Sequence, residues 1–127
     1  MSAVRKHIAV VDDDERVLES MEDLLASVGY TVQLYSSAEE FLGGSGLQEI
    51  DCLVSDVGMP GMTGFDLLAR VMQLRPSLPV ILITARHDDR LSQTALRSGA
   101  RYFFEKPFDT RAFLRATEAA LNPQAIS

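Results

Sequence analysis

Apolar residues in this chain are concentrated in five short runs, and amphipathic segments separate one run from the next. Three runs are continuous apolar stretches of strand length, at residues 8–11, around 53–54 and at 80–83. Uninterrupted runs of this length are typical of parallel strands that helices cover on both faces. We therefore expect these three runs to form the centre of a parallel sheet.

The other two runs have the character of strands at the edges of a sheet. Residues 31–35 alternate polar and apolar side chains, and the apolar run at 102–104 is short. Both properties fit strands that are less completely covered than central ones. The chain as a whole is then read as five strands, each followed by a helix.

The segments between the strands show the spacing of amphipathic helices. In the first segment, inward-facing apolar residues continue as far as Val28, after which Gly29 supplies a left-handed stop. The cluster of glycines and serine at residues 43–46 predicts a loop. The fourth helix, expected at about residues 89–98, has the weakest apolar stripe, with Leu96 among its inward-facing residues. We expect it to be the least firmly packed helix.

This order of elements predicts an α/β fold with one doubly wound, five-stranded parallel sheet. Parallel strands are joined by right-handed crossovers, which place helices on both faces of the sheet. The expected arrangement is flavodoxin-like, (βα)5, with strand order 2-1-3-4-5. Residues 1–122 form the predicted domain, and residues 123–127 form a tail or the start of a linker, because Pro123 interrupts the last helix.

Composition narrows the class of protein. With 127 residues, 46% hydrophobic and 24% charged, the chain fits a globular domain of ordinary size. It has no stretch that resembles a membrane span, and its first apolar run is too short for a signal peptide, so we expect a cytoplasmic protein. The net charge of -6 argues against direct binding of nucleic acid. The lone Cys52 lies in an apolar run and is expected to be buried.

Five polar residues stand where predicted strands end and loops begin. They are Asp12, Asp13, Asp56, Thr84 and Lys106. Because the carboxyl ends of parallel strands meet along one edge of a sheet, these side chains are expected to share one pocket.

The chemistry of this set points to phosphoryl transfer. Three carboxylates in one pocket repel each other unless a cation lies between them, and oxygen ligands with room for water suit Mg²⁺. A lysine neutralises charge on phosphoryl oxygens, and a hydroxyl such as that of Thr84 positions them. The carboxylate of Asp56 is of the type that acts as a nucleophile and becomes an aspartyl phosphate.

A simpler alternative is that acidic residues after a strand only cap the next helix, as Asp13 or Asp14 could do. We favour that alternative for Asp14 and Glu15. For the other three carboxylates, it leaves unexplained why Thr84 and Lys106 stand at the corresponding ends of two further strands.

Four motifs, in order and covering nearly the whole chain, resemble one known family. They are VVDDD at 10–14, DVGMPGMTG at 56–64, ITA at 83–85 and GARYFFEKPF at 99–108. Together they resemble the receiver domain of bacterial two-component response regulators. The EKPF ending is most similar to the FixJ-type subgroup.

The resemblance implies a site and a partner. Asp56 would be the phosphoacceptor and would receive its phosphoryl group from a phosphohistidine on a sensor histidine kinase or phosphotransfer protein. Asp13 and Asp56 would bind Mg²⁺ directly, Asp12 would contribute through water, and the backbone carbonyl of Gly58 would complete the protein's ligands.

The resemblance also implies a switch. Lys106 would pair with Asp56 or its phosphoryl group, and the Lys106–Pro107 bond is of a kind commonly cis in the family. Thr84 would hydrogen-bond the phosphoryl group, and Phe103 would be the aromatic residue coupled to Thr84.

The domain would be a signalling switch that assists its own phosphorylation and dephosphorylation rather than an enzyme. It would present a changed surface on the fourth helix, fifth strand and fifth helix, through which it would form a phosphorylation-dependent homodimer.

Other classes of protein remain as alternatives. A phosphatase of the haloacid dehalogenase type also uses an aspartate nucleophile and Mg²⁺, but its second acid lies two residues on, where this chain has Gly58. A receiver-like interaction module that is never phosphorylated would not need the full set of pocket residues. A flavin-binding protein would need a phosphate loop rich in glycine, serine and threonine after the first strand.

Overall fold

The structure is a computed structural model, and it describes residues 5–122. Its five strands form one sheet in which every neighbouring pair is parallel, with the order β2-β1-β3-β4-β5. The strands are β1 (His7–Val11), β2 (Thr31–Tyr35), β3 (Cys52–Asp56), β4 (Val80–Thr84) and β5 (Tyr102–Glu105). The predicted fold and strand order are both confirmed.

Six helices connect and follow these strands in the described part of the chain. They are α1 (Glu15–Ser27), α2 (Ala38–Gly43), α3 (Gly46–Glu49), α4 (Gly64–Leu74), α5 (Asp89–Arg97) and α6 (Thr110–Leu121). The sequence predicted five, because the glycine-rich cluster was read as a loop throughout. One helical turn, α3, forms there because Leu47 is buried in the core and holds the turn against it. The predicted fourth and fifth helices are therefore α5 and α6.

The sheet separates two hydrophobic cores. Helices α2 to α5 cover one face, called here the α4 face, and α1 and α6 cover the other, called the α1 face. Successive strand residues alternate between the faces, as the pleat of a strand requires. In β4, for example, Leu82 packs on the α4 face and Ile83 on the α1 face. This alternation also continues into the residues that follow each strand.

The central strands and the edge strands differ as the sequence predicted. Every residue of β3 and β4 is buried, whereas every residue of β2 and β5 is only half-buried. Gly29, directly after the capping residue of α1, has a positive φ of 99°. No helix within residues 5–122 has the length and apolar character needed to cross a bilayer.

Two apolar residues that were expected to face inward are exposed instead. Val28 is 51% exposed because it is the capping residue beyond the last turn of α1, where the backbone has left the helical conformation. Leu96 is 53% exposed because the neighbouring Ala95 is the residue that α5 buries. Adjacent helical positions point about 100° apart, so a narrow stripe cannot bury both.

Cys52 is fully buried in β3, and burial raises the pKa of its thiol from 9.0 to about 12. The folded state therefore holds this proton more tightly than the unfolded state. A group of this kind contributes stability that is complete below the unfolded pKa and is lost as the pH rises towards the folded pKa.

We expect the free energy of unfolding to fall more steeply at alkaline pH in the wild type than in Cys52→Ala. Between about pH 8 and about pH 10.5, the stability advantage of the wild type over the variant should shrink by about 2 kcal/mol, since each pH unit above the unfolded pKa costs about 1.4 kcal/mol. Urea unfolding at a series of pH values measures this difference. A constant difference would contradict the assignment of a protonated, buried thiol.

Candidate functional site

Three acidic residues meet at the carboxyl end of the sheet. Asp12 follows β1 and Asp56 ends β3, and these two strands are hydrogen-bonded neighbours. One carboxylate oxygen from each of Asp12, Asp13 and Asp56 lies within 4.8 Å of the other two. Asp12 and Asp56 are buried, with exposed fractions of 1% and 7%, whereas Asp13 is exposed. The three predicted acids therefore form one cluster that is open to solvent on the side of Asp13.

The donor set of this cluster fits a hard divalent cation. All three ligands that the side chains offer are carboxylate oxygens, and the exposed side leaves room for water. Small hard cations such as Mg²⁺ prefer oxygen ligands and keep part of their water shell when they bind to proteins. The residues present therefore fit a magnesium ion.

Lys106 joins the acidic cluster from the other side of β4. Its Nζ atom lies 3.1 Å from Oδ2 of Asp12 and 3.2 Å from Oδ1 of Asp56. Its backbone N–H donates a hydrogen bond to the carbonyl of Thr84 at 2.7 Å, which extends the pairing of β4 and β5 by one residue. The Lys106–Pro107 peptide bond is cis, as the family resemblance implied.

Burial and charge act together on the two partners of this ion pair. Burial, assisted by the charge of Asp56, raises the pKa of Asp12, although the Asp14 N–H and Lys106 partly oppose this rise. Burial alone would lower the pKa of Lys106. The hydrogen bonds and negative charges of Asp12 and Asp56 together outweigh it, so that the pKa of Lys106 is raised. Lys106 therefore keeps its positive charge beside Asp56.

Strand alternation divides the polar residues of the site between the two faces of the sheet. Asp12, Asp56 and Lys106 each continue the set of strand positions that packs on the α1 face. Thr84 instead continues the positions of the α4 face, two residues after Leu82. The three residues that contact one another thus share one face, while Thr84 lies at the end of the other.

Thr84 is buried, with 1% of its surface exposed, and its Oγ1 atom accepts a hydrogen bond from the backbone N–H of Arg86 at 3.1 Å. Phe103 pairs with Leu82 in the sheet and packs against the core of the α4 face, on the same side as Thr84. Tyr102 packs on the opposite face. The two residues predicted to act together in switching therefore lie on one face.

The helix-capping alternative is correct for Asp14. Its carboxylate accepts a hydrogen bond from the Arg16 N–H at 2.9 Å and caps α1. Its own backbone N–H donates to Oδ1 of Asp12, also at 2.9 Å. The start of α1 therefore helps to orient the neighbouring site carboxylate.

Gly64 packs closely on the backbone next to Asp56, a role that was not predicted from the sequence. It begins α4, and its N–H donates a hydrogen bond to the carbonyl of Val57 at 2.9 Å. A Cβ atom at this position would lie less than 3.0 Å from backbone atoms of both Asp56 and Val57. The signal was present in the sequence as a capping box, Thr63 with Asp66, which fixes the helix start beside Gly64.

Residues 8–118 match the family model for the response regulator receiver domain. The chain belongs to this family. It is 39% identical over 114 residues to the response regulator protein TmoT of Ectopseudomonas mendocina, covering 90% of this chain and 52% of TmoT. It is 36% identical over 115 residues to the transcriptional regulatory protein FixJ of Bradyrhizobium diazoefficiens, covering 91% of this chain and 56% of FixJ. The receiver domain thus spans about half the length of these two relatives.

A solved structure extends the likeness to the whole receiver fold. The signal receiver domain of an HD domain-containing protein from Pseudomonas fluorescens Pf-5 superimposes with a TM-score of 0.87 at 32% identity, covering 98% of this chain and 100% of that one. The chain is therefore a receiver domain of two-component response regulators, a family whose members act as phosphoryl-accepting switches. The predicted resemblance is confirmed, including its FixJ component, and the phosphatase alternative is not favoured.

We expect Gly64→Ala to destabilise the receiver domain, because the new Cβ must push the backbone of Asp56 or the start of α4 out of place. Forced overpacking of this kind costs about 1–3 kcal/mol, which urea unfolding measures. Gly43→Ala is a matched control, since a Cβ there would meet nothing within 4 Å. Equal stability of the two variants would show that the contact between Gly64 and Asp56 is not tight.

Proposed function

We propose that Asp56 is the residue that accepts the phosphoryl group, from a phosphohistidine on a sensor histidine kinase or phosphotransfer protein. The observation that carries this proposal is the position of the Asp56 carboxylate beside Lys106 and two further carboxylates at the end of the sheet. Its residual exposure of 7% leaves a route for a donor from solvent. The domain acts as a switch, and assists its own phosphorylation and dephosphorylation, rather than as an enzyme that releases product.

The proposed transfer is a displacement at phosphorus. A carboxylate oxygen of Asp56 forms the new P–O bond while the P–N bond of the phosphohistidine breaks. Lys106 is placed to neutralise charge on the incoming group, because its ammonium already contacts Asp56. The Thr84 hydroxyl accepts a bond from Arg86 N–H but keeps its own hydrogen to donate to a phosphoryl oxygen.

The ion that we propose for the acidic cluster is Mg²⁺. Asp13 and Asp56 would hold it directly, Asp12 would contribute through a water molecule, and Gly58 would offer its backbone carbonyl. When bound, the ion would supply positive charge to the phosphoryl oxygens during transfer. Asp12 is suited to an indirect role because its two oxygens already accept bonds from Asp14 N–H and Lys106.

The proposed output surface is made by α5, β5 and α6. Once Thr84 turns its hydroxyl towards a phosphoryl group, Phe103 on the same face can repack. Helix α5 is suited to move, because Ala95 is the residue that it buries. We propose that a homodimer forms through this surface after phosphorylation.

We also propose a cellular location, a class of partner and a class of output for the domain. We place the domain, residues 1–122, in the cytoplasm. The tail proposed for residues 123–127 lies outside the residues that the structure describes. The net charge of -6 favours protein partners over nucleic acid or anionic membrane. Because the FixJ relative is named a transcriptional regulatory protein, we propose control of transcription as the class of output, exerted through an attached region or a separate partner.

Incubation with acetyl phosphate and Mg²⁺ should add one phosphoryl group to the wild type and none to Asp56→Asn. Intact mass measurement detects the addition, and omission of Mg²⁺ should abolish it. Labelling that persists in the variant would exclude Asp56 as the acceptor. Labelling that ignores Mg²⁺ would exclude the proposed ion.

Addition of beryllofluoride, a mimic of the phosphoryl group, should convert the wild type from monomer to dimer in sedimentation velocity. Thr84→Val should remain monomeric, because it keeps the size of the side chain but lacks the hydroxyl. Thr84→Ser restores the hydroxyl and should restore dimerisation. A wild type that stays monomeric at high concentration with beryllofluoride would argue against this dimer.

A further inference from the structure

The loop that follows the proposed phosphoacceptor, residues 57–63, is fixed at its base. Val57 donates its N–H to the carbonyl of Ile83 in β4 at 2.8 Å and accepts a bond from Gly64 N–H at 2.9 Å. Val57 thus connects the start of the loop both to β4 and to Gly64, the residue that follows the loop. Met59 also anchors this part of the loop, because its side chain is 5% exposed.

The tip of the same loop is fixed by a residue from a different element. Glu39, an exposed residue in the first turn of α2, accepts a hydrogen bond at its Oε2 atom from the backbone N–H of Met62 at 2.9 Å. A hydrogen bond to a carboxylate is stronger than one between neutral groups. The two partners are 23 positions apart in the chain, so the bond ties α2 to the loop rather than stabilising a local turn.

Gly61 lies at the loop tip, next to this carboxylate. Its φ is +74°, a conformation that side chains other than glycine disfavour. A Cβ at Gly61 would lie 2.7 Å from Oε2 of Glu39, closer than real Cβ atoms approach an oxygen. The carboxylate therefore lies directly against the backbone of the tip, and a side chain at Gly61 would displace it.

Gly58 lies between the fixed base and the fixed tip. Its carbonyl is the backbone ligand proposed for Mg²⁺, and Gly58 itself is exposed, with no atom packed where a Cβ would be. The peptide unit that carries this carbonyl is held on its N–H side, because the Met59 N–H donates a hydrogen bond to the carbonyl of Val57 at 3.3 Å. The bond from Glu39 to Met62 acts three residues further along the chain and limits how far the tip can swing about this base.

We propose that Glu39 is a positioning residue for phosphoryl transfer: its carboxylate holds the loop 57–63 so that the Gly58 carbonyl stays directed at the proposed metal site. This inference rests on the proposed function of Asp56 and its ion. It gives α2, which has no residue in the acidic cluster, a defined part in the chemistry. A loss of such an outer partner of a metal ligand typically weakens metal binding by about 10-fold or more.

The chain offers a matched set of variants for the test. Glu39→Ala removes the acceptor, and Glu39→Gln removes the charge but keeps an oxygen that can accept the Met62 bond. Glu40→Ala changes the same charge by the same amount in the same helical turn, yet the Glu40 carboxylate accepts from the Ser36 hydroxyl and not from the loop. Comparison of the variants separates the hydrogen bond from the charge.

Two measurements test the proposal without relying on phosphorylation: one reports on the hydrogen bond and the other on Mg²⁺ affinity. Hydrogen exchange of the Met62 amide, followed by NMR on metal-free protein, should be about 10-fold faster in Glu39→Ala, faster by a smaller factor in Glu39→Gln, whose bond is neutral, and unchanged in Glu40→Ala. Calorimetric titration with Mg²⁺ alone should show affinity weakened by about 10-fold in Glu39→Ala and by a smaller factor in Glu39→Gln, with Glu40→Ala within about twofold of the wild type. At saturating Mg²⁺, the rate of labelling by acetyl phosphate should return to the wild-type value.

Several results would overturn the proposal. Glu39→Ala with wild-type Mg²⁺ affinity would show that the loop does not need the tie, and Glu40→Ala with an equal loss would show that only charge matters. Glu39→Gln as weak as Glu39→Ala would exclude the hydrogen bond as the cause. If the wild type itself were not labelled in the presence of Mg²⁺, the proposed function would fail first, and this inference with it.

Discussion

The buried ion pairs of Lys106 are the interaction on which the functional end of this sheet depends. Asp12 and Asp56 stand side by side at the ends of two adjacent strands, and both are almost wholly removed from solvent. Two carboxylates in that position repel each other and lose their hydration. The ammonium of Lys106 contacts both at close to 3 Å and offsets the repulsion. If it were removed, two buried carboxylates would stay without a counter-charge, which is far costlier than losing an exposed pair.

This interaction forms only when the whole sheet is in order. Lys106 follows β5, an edge strand, whereas the two acids follow β1 and β3, and β4 lies between. The lysine side chain must therefore reach past the end of β4, where its own backbone bonds to the carbonyl of Thr84. Residues that are 94 positions apart in the chain become hydrogen-bonded as a result. Disruption of the strand pairing would therefore also disrupt the contacts of Lys106 at the site.

The sequence predicted the parts of the molecule that follow from periodicity and from strand ends. Continuous apolar runs identified the central strands, and five polar residues at strand ends identified the cluster, because parallel strands bring their ends together wherever they lie in the chain. These features depend on local geometry that repeats along the chain.

The features that the sequence did not reveal are contacts between elements. Neither the tight packing of Gly64 on the backbone of Asp56 nor the bond from Glu39 to Met62 has a periodic signal, because each depends on how one element lies against another. Leu96 was misplaced for a related reason, as the rotation of α5 about its axis is set by the burial of Ala95. Leu47 produced a helical turn in a segment where glycine indicated a loop.

The polar residues of the site are divided between the two faces of the sheet, and the sheet lies between them. Asp12, Asp56 and Lys106 continue the strand positions that face α1 and α6, whereas Thr84 continues the positions that face α4 and α5. Under the proposed function, a change at Asp56 reaches the core of the α4 face around the ends of the strands, through Thr84 and through Val57, which follows Asp56 and is buried in that core. Under the proposed function, the phosphoryl donor contacts the carboxyl ends of the strands, whereas the output surface of α5, β5 and α6 follows the edge of the sheet at β5, so the two partners bind different parts of the domain.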